Sequence, residues 1–145
     1  MNHFRIPLLT AALLASVFAC AQTGQVWPTQ TRQLFRPDEN DELTAADEPE
    51  AYATYFVFVS DDAFLHCTET ITSLYQIRKR KQDGGTRSYE VVSEAGNEYV
   101  YYFDADASFI TIVAESQGFV LGISCAPMYE TAVMDQLGQK QKKRR

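Results

Sequence analysis

The chain has 145 residues, 46% of them hydrophobic and 12% aromatic, which suits one folded domain and is too apolar for a disordered chain. Its formal charge is −6, from 13 bases and 19 acids. Six of the bases are Arg5 and the five between residues 140 and 145, so the body of the chain, residues 22–138, has 7 bases and 19 acids and a charge of about −12. Because nucleic-acid binding depends on clustered Lys and Arg, we expect no nucleic-acid partner for this acidic body.

The first 21 residues have the order of a secretion signal. Arg5 supplies a positive charge, and the stretch 6–19 that follows is uncharged and rich in Leu and Ala. This apolar run of about 14 residues is shorter than the roughly 20 that a membrane-spanning helix needs. We therefore expect residues 1–21 to be a cleavable export signal, with a retained anchor or a buried helix as the alternatives.

The signal ends with Val17-Phe18-Ala19-Cys20, which resembles the bacterial lipobox, the motif whose cysteine receives diacylglycerol. The resemblance covers these four residues and the signal before them, and Phe18 occupies a position where a small residue is usual. It implies that Cys20 is lipidated and holds the protein on a membrane of the bacterial envelope. The alternative is ordinary cleavage after Ala19 or Ala21, which would give a free secreted or periplasmic protein.

Residues 22–51 are polar and acidic, with three prolines and seven acids between Asp38 and Glu50. A segment of this composition buries little apolar surface, so we expect a flexible acidic tether between the signal and the folded domain. Its apolar exceptions are Trp27, Leu34 and Phe35, which are either a docking segment or loosely packed.

The following residues, 52–138, carry strand signals and are predicted to form a single β-rich domain. Apolar, β-branched or aromatic runs lie at 55–59, 88–92, 98–103, 109–114 and 119–124, and turn residues separate the last four runs every 10–12 residues or so. This spacing predicts a mainly β fold, an antiparallel β meander of five to six strands, with an α+β fold as the alternative.

The two helices that we expect in this domain have weaker signals. Between residues 60 and 81, apolar residues fall near one helical face, whereas the threonines favour a strand, so we expect a short helix near 61–67 and a strand near 70–81. After Pro127 the segment 128–141 has weak helical spacing, which predicts a C-terminal helix followed by a basic tail at 139–145.

The cysteines suggest a bridge and the histidine does not suggest catalysis. If Cys20 is lipidated, Cys67 and Cys125 remain and are the candidate disulfide in an oxidising compartment. His66 precedes Cys67, but adjacent side chains point to different faces of a strand or helix, so we do not expect a thiol–imidazole pair.

The sequence contains no motif for a cofactor, a metal ion or catalysis, and we predict none of them. An enzyme would have to bring together the carboxylates of the two acidic turns, Asp61, Asp62, Asp104 and Asp106.

We predict a non-enzymatic interaction or binding module whose partner is an unidentified envelope protein. The alternative is a carrier of a small apolar ligand in a partly closed β barrel, with four aromatic residues as the candidate ligand wall: Tyr99, Tyr101, Phe109 and Phe119.

Overall fold

The computed structural model describes residues 22–131, which form an antiparallel β-sheet that closes into a barrel. The strands are β1 (Gln25–Pro37), β2 (Leu43–Ala45), β3 (Glu50–Ala51), β4 (Tyr55–Ser60), β5 (Ala63–Cys67), β6 (Thr72–Asp83), β7 (Thr86–Ser93), β8 (Glu98–Phe103), β9 (Phe109–Ala114), β10 (Phe119–Cys125) and β11 (Tyr129–Glu130). A 3₁₀ turn at Glu115–Gln117 lies between β9 and β10.

Eight strands form the wall of the barrel. From β4 to β10 each strand pairs with the next in the chain, and β1 closes the circle by pairing with β4 on one edge and β10 on the other. The short strands β2 and β3 extend the β4 edge of β1, and β11 pairs with the start of β1 beyond β10.

The hairpin connections define two ends of the barrel. We call the end with the turns at 61–62, 84–85 and 104–108 the lower end, and the end with the connections at 68–71, 94–97 and 115–118 the upper end. Gly84 and Gly85 adopt positive φ angles of 57° and 89° in the β6–β7 turn, a conformation that glycine accepts without steric cost.

Aromatic rings fill the interior. Side chains alternate between the two faces of each strand, and the inward positions are apolar along most of the wall. The innermost large side chains are at most 2% exposed: Trp27, Phe56, Phe58, Phe64, Tyr89, Val91, Tyr101, Phe103, Ile110 and Ile123. The ring of Phe103 lies at the centre of this cluster, 5.0 Å from that of Trp27 and 5.1 Å from that of Phe58 between centroids.

The structure confirms the predicted mainly β, antiparallel fold and most of its strands. Residues 98–103 and 109–114 are strands with the predicted bounds, and the strand expected near 70–81 is β6. The helix near 61–67 is wrong, because Phe64 and Tyr75 pair directly across β5 and β6 and pack inside the barrel. The C-terminal helix falls mostly outside the described residues, and the part inside them contains the strand β11.

The flexible tether predicted over 22–51 is also wrong for its first half. The longest strand of the barrel, β1, begins at Gln25, and its Trp27 is only 1% exposed. The polar composition predicted a tether, but the backbones of these polar residues form the hydrogen bonds that pair β1 with its neighbouring strands. The hydroxyl of Thr29 also hydrogen-bonds to that of Thr54. The folded unit therefore includes residues 22–51, and its acidic stretch is the exposed connection from β1 to β4.

A substitution of Trp27 tests this correction. We expect Trp27→Ala to lower the free energy of unfolding by about 3–5 kcal/mol, because it removes a large ring from a filled interior. Leu43→Ala is the control, since Leu43 is 56% exposed and its loss should cost within about 0.5 kcal/mol. Urea denaturation followed by far-UV circular dichroism measures both free energies of unfolding. Equal values for the two variants would mean that Trp27 does not pack in the folded core and would support the tether.

Candidate functional site

The four candidate ligand-wall residues do not share one surface. Tyr101 is 2% exposed in the core, and Tyr99 packs beside it on the same strand face. Phe119 lies opposite the buried Ala114 and so also faces inward. Phe109 points to the outside of the barrel and is 37% exposed, because it occupies the opposite parity of its strand from the buried Ile110. The predicted wall is therefore split between the core and the outer surface.

The predicted disulfide between Cys67 and Cys125 is not formed, and both thiols are free. Cys67 lies on β5 and Cys125 on β10, with β4 and β1 between them, a separation of about 14 Å across three strand spacings. A disulfide needs Cα atoms within about 7 Å. Burial and the nearby Asp104 raise the pKa of the Cys125 thiol to about 12. Cys20, the lipidation candidate, lies outside the described residues.

The acidic turns considered as a catalytic set are both at the lower end of the barrel. Asp62 pairs with Arg80 at 3.0 Å, and Asp106 accepts a hydrogen bond from the Ser108 hydroxyl at 2.6 Å. Partial burial and the neighbouring Asp106 raise the pKa of the Asp104 carboxyl. Within residues 22–131, no hydrogen bond or ion pair joins the two turns.

His66 belongs to a hydrogen-bonded group inside the upper half of the barrel. Its Nε2 lies 3.2 Å from the Tyr52 hydroxyl and 3.0 Å from the Thr54 hydroxyl, and its ring stacks on Phe56 with centroids 4.2 Å apart. Burial lowers the pKa of His66 to about 4, so the imidazole is neutral at pH 7. These contacts describe a structural histidine, and they leave its neighbour Cys67 on the opposite, outer face.

The outer face of β8, β9, β10 and β1 carries an apolar surface that the sequence analysis missed. Val100 pairs with Val113, Val113 with Val120, and Val120 with Phe35, so four apolar side chains form one row across four strands. Tyr102 and Phe109 lie beside this row and are 38% and 37% exposed. We call the six residues together the outer apolar patch: Phe35, Val100, Tyr102, Phe109, Val113 and Val120.

Gly122 shapes the centre of this patch. A Cβ atom at this position would stand 3.0 Å from Cζ of Phe109 and 3.2 Å from Cε2 of Phe35, both tighter than ordinary contacts. The missing side chain therefore leaves room for both rings to lie over the backbone of β10. The rings of β1 and β9 thus share the space above Gly122.

Negative charge flanks the outer apolar patch. Beyond Val100 there is a groove of about 520 Å³ on the outside of β6–β9, and three acids, Glu90, Glu98 and Glu115, and one base, Arg78, line it. Beyond Phe35 the row continues to Ala45 of β2, in the connection that carries seven acids. The patch is thus an uncharged strip between two acidic borders. We call the first of these borders the acidic groove.

A sequence signal for this patch existed. The strands at 98–103 and 109–114 are apolar at both parities, Val100 and Val113 on one face and Tyr101 and Ile112 on the other. A barrel of eight strands has one interior, so apolar residues of the second parity must lie outside.

No family model, curated protein or solved structure matches the chain. In the described part, no three His, Cys, Asp or Glu side chains gather in a group that could hold a metal ion. Within residues 22–131, no helix is both long and apolar enough to cross a membrane.

The buried histidine makes the stability depend on pH. The unfolded chain protonates His66 near pH 6.5, whereas the folded protein resists protonation down to about pH 4. Because the unfolded state binds the proton first, stability is lost as the pH falls from 6.5 to 4. From pH 7 to pH 5 we expect His66 to account for a loss of about 2 kcal/mol.

His66→Gln removes this titration and keeps a hydrogen-bonding side chain opposite Tyr52 and Thr54. The difference between the two proteins in the free energy of unfolding, measured at pH 7 and at pH 5, isolates the His66 contribution from the carboxylates. If both proteins lose the same stability over this interval, the histidine is not held neutral by burial.

Proposed function

We propose that this protein is an exported, non-enzymatic binding module of the bacterial envelope that holds a partner protein against the outer apolar patch. The observation that carries the proposal is the uncharged row of Phe35, Val100, Val113 and Val120, all half-buried, beside the exposed rings of Tyr102 and Phe109. A contiguous apolar row of this kind can form the centre of an interface whose rim is polar. The signal at residues 1–21 supports export, with Cys20 as the lipid anchor or with free release as the alternative.

The outer apolar patch is smaller than a stable protein–protein interface. Three strand spacings and four residues along a strand make it about 14 Å by 14 Å, or roughly 200 Å². A stable interface buries about 800 Å² on each partner. The acidic borders must therefore lie inside the interface.

The chemistry of the partner follows from these borders. An apolar strip between acidic margins fits a protein surface that has an apolar centre and Lys or Arg at its edges. The opposite charges would speed encounter, and the rings of Phe35 and Phe109 would supply the buried contact. Association should consequently weaken as salt concentration rises.

Site-specific photocross-linking in the native host tests the proposal. A benzophenone amino acid at Tyr102 should form an adduct with one envelope protein, because this position lies in the patch. The same amino acid at Tyr55 is the control, since Tyr55 is 45% exposed on the outside of β4, away from the patch. Equal adducts from both positions, or none from Tyr102, would contradict the proposal.

Two substitutions sharpen this experiment. Phe109→Asp places a charge in the patch, and Gly122→Ala keeps every apolar side chain but displaces the rings of Phe35 and Phe109 from the space above residue 122. Both should reduce the Tyr102 adduct while the protein stays folded. Tyr129→Ser, at a residue 53% exposed on β11, should leave the adduct unchanged.

The carrier hypothesis keeps one supporting observation, the closed barrel itself, since eight strands can enclose one small ligand. The interior positions that such a ligand would need are filled by rings, with Phe64 and Phe103 fully buried. We therefore expect no rise in melting temperature when palmitate is added. A rise that grows with palmitate concentration would favour the carrier over the binding module.

A further inference from the structure

Gln22, the first residue that the structure describes, has a buried side chain whose two polar atoms differ. The residue is 6% exposed, and its Oε1 accepts a hydrogen bond from the hydroxyl of Tyr89 at 2.7 Å. Its Nε2 is also buried, but within residues 22–131 no acceptor lies within hydrogen-bond distance of it. A buried amide nitrogen without an acceptor destabilises a fold, whereas the bonded oxygen does not. The oxygen of this side chain therefore fits its site, and the nitrogen does not.

The backbone next to Gln22 is attached to the barrel at its lower end. The carbonyl of Gln22 accepts from the amide of Gln25 at 3.1 Å, and the amide of Gly24 donates to the carbonyl of Phe58 at 2.8 Å. Tyr89 is only 2% exposed, so its ring is fixed by the core around it. The side-chain amide of Gln22 is thus held against the Tyr89 hydroxyl by structure on both sides.

A hydroxyl placed in this way assists attack on the amide carbon. The hydrogen bond draws electrons from Cδ of Gln22, and it stabilises the negative charge that develops on the oxygen while a nucleophile adds. Burial raises the pKa of the Tyr89 hydroxyl, and the positive charge of Arg87 opposes this rise. The phenol consequently keeps its proton at neutral pH and remains a donor.

A nucleophile is present if the export signal is cut after Ala21. The sequence Ala19-Cys20-Ala21 has the small-x-small pattern of ordinary signal cleavage, the alternative to lipidation of Cys20. Cleavage there makes Gln22 the first residue and gives it a free α-amino group. Because the pKa of such a group is about 8, part of it is unprotonated at pH 7. Its attack on the side chain of the same residue is intramolecular, which favours the reaction.

We propose that the folded barrel, released after Ala21, closes its N-terminal glutamine into a pyroglutamyl ring with Tyr89 as the catalytic donor. The α-amino nitrogen of Gln22 forms a bond to Cδ, and the bond between Cδ and Nε2 breaks. Nε2 leaves as ammonia with the proton that the amine gives up, so no other reactant is needed. The oxygen bonded to Tyr89 is kept, and the buried nitrogen without an acceptor is removed. In the host, the proposal rests on the export that belongs to the proposed function.

The reaction can be followed in a chain that begins at Gln22. A protease that removes a fusion partner immediately before Gln22 sets the starting time, and mass spectrometry then records the loss of one ammonia. We expect Tyr89→Phe, which keeps the ring and removes the donor, to cyclise at least about tenfold more slowly. Tyr99→Phe is the matched control and should cyclise at the unmodified rate. Tyr99 also faces the interior, but its hydroxyl lies 3.3 Å from Nε2 of Gln117 at the upper end.

Urea separates the contribution of the fold from the intrinsic reactivity of an N-terminal glutamine. In urea that unfolds both proteins, the unsubstituted chain and Tyr89→Phe should cyclise at one slow rate, and only the folded, unsubstituted chain should be faster. Equal rates of the two folded proteins would overturn the proposal. So would an unsubstituted chain that cyclises no faster when folded than in urea, a comparison that does not depend on whether Tyr89→Phe folds.

The N-terminal peptide of the protein purified from its native host separates this proposal from the proposed function. A peptide that begins at Gln22 and lacks one ammonia supports the ring. An unmodified Gln22, or a lipidated Cys20 as the first residue, would overturn the proposal and leave the proposed function standing. A chain that keeps Met1 would contradict the export on which both rest. A pyroglutamyl start without a partner adduct at Tyr102 would contradict the proposed function alone.

Discussion

The pairing of β1 with strands on both of its edges is the constraint on which the structure depends. Without β1, the edges of β4 and β10 would stay open and the aromatic cluster would lose the Trp27 ring that covers Phe103. Two features let one strand serve both neighbours. It is 13 residues long, and the register shift between Thr29 and Thr31 bends it from its contact with β4 to its contact with β10.

Closure decides where function can lie. An eight-stranded barrel has an interior just wide enough for side chains, and here the rings of Phe56, Phe58, Phe64 and Phe103 occupy it. Edge-to-face contacts between these rings, with centroids 5.8–6.2 Å apart, favour one packing arrangement over a fluid interior. The proposed recognition of a partner therefore falls to the outer wall, where the apolar side chains of the second parity lie.

The sequence predicts the hairpins of this fold better than its closure. From β7 to β10, turn residues and alternating apolar runs mark each strand, so local chemistry is enough. In β1 the apolar residues are sparse, Pro28 interrupts the run, and the hydroxyl of Thr29 finds its partner Thr54 only after folding. Which face of the sheet a side chain occupies is equally hard to predict, because it depends on how the strand pairs with its neighbours. This pairing places Phe109 outside the barrel and Cys67 away from Cys125.

Charged side chains and the second set of apolar side chains both lie on the outer wall, because aromatic rings fill the interior of the barrel. The interior accepts ionisable groups only where rings or hydroxyls surround them, as with neutral His66, so the acids of the body lie outside. A partner that covers the outer apolar patch must also cover Glu98 and Glu115, and taking these carboxylates out of water costs free energy unless bases meet them. Under the proposed function, the valines and rings would therefore provide affinity for many apolar surfaces, while the acidic borders would select those that carry Lys or Arg at the right distance.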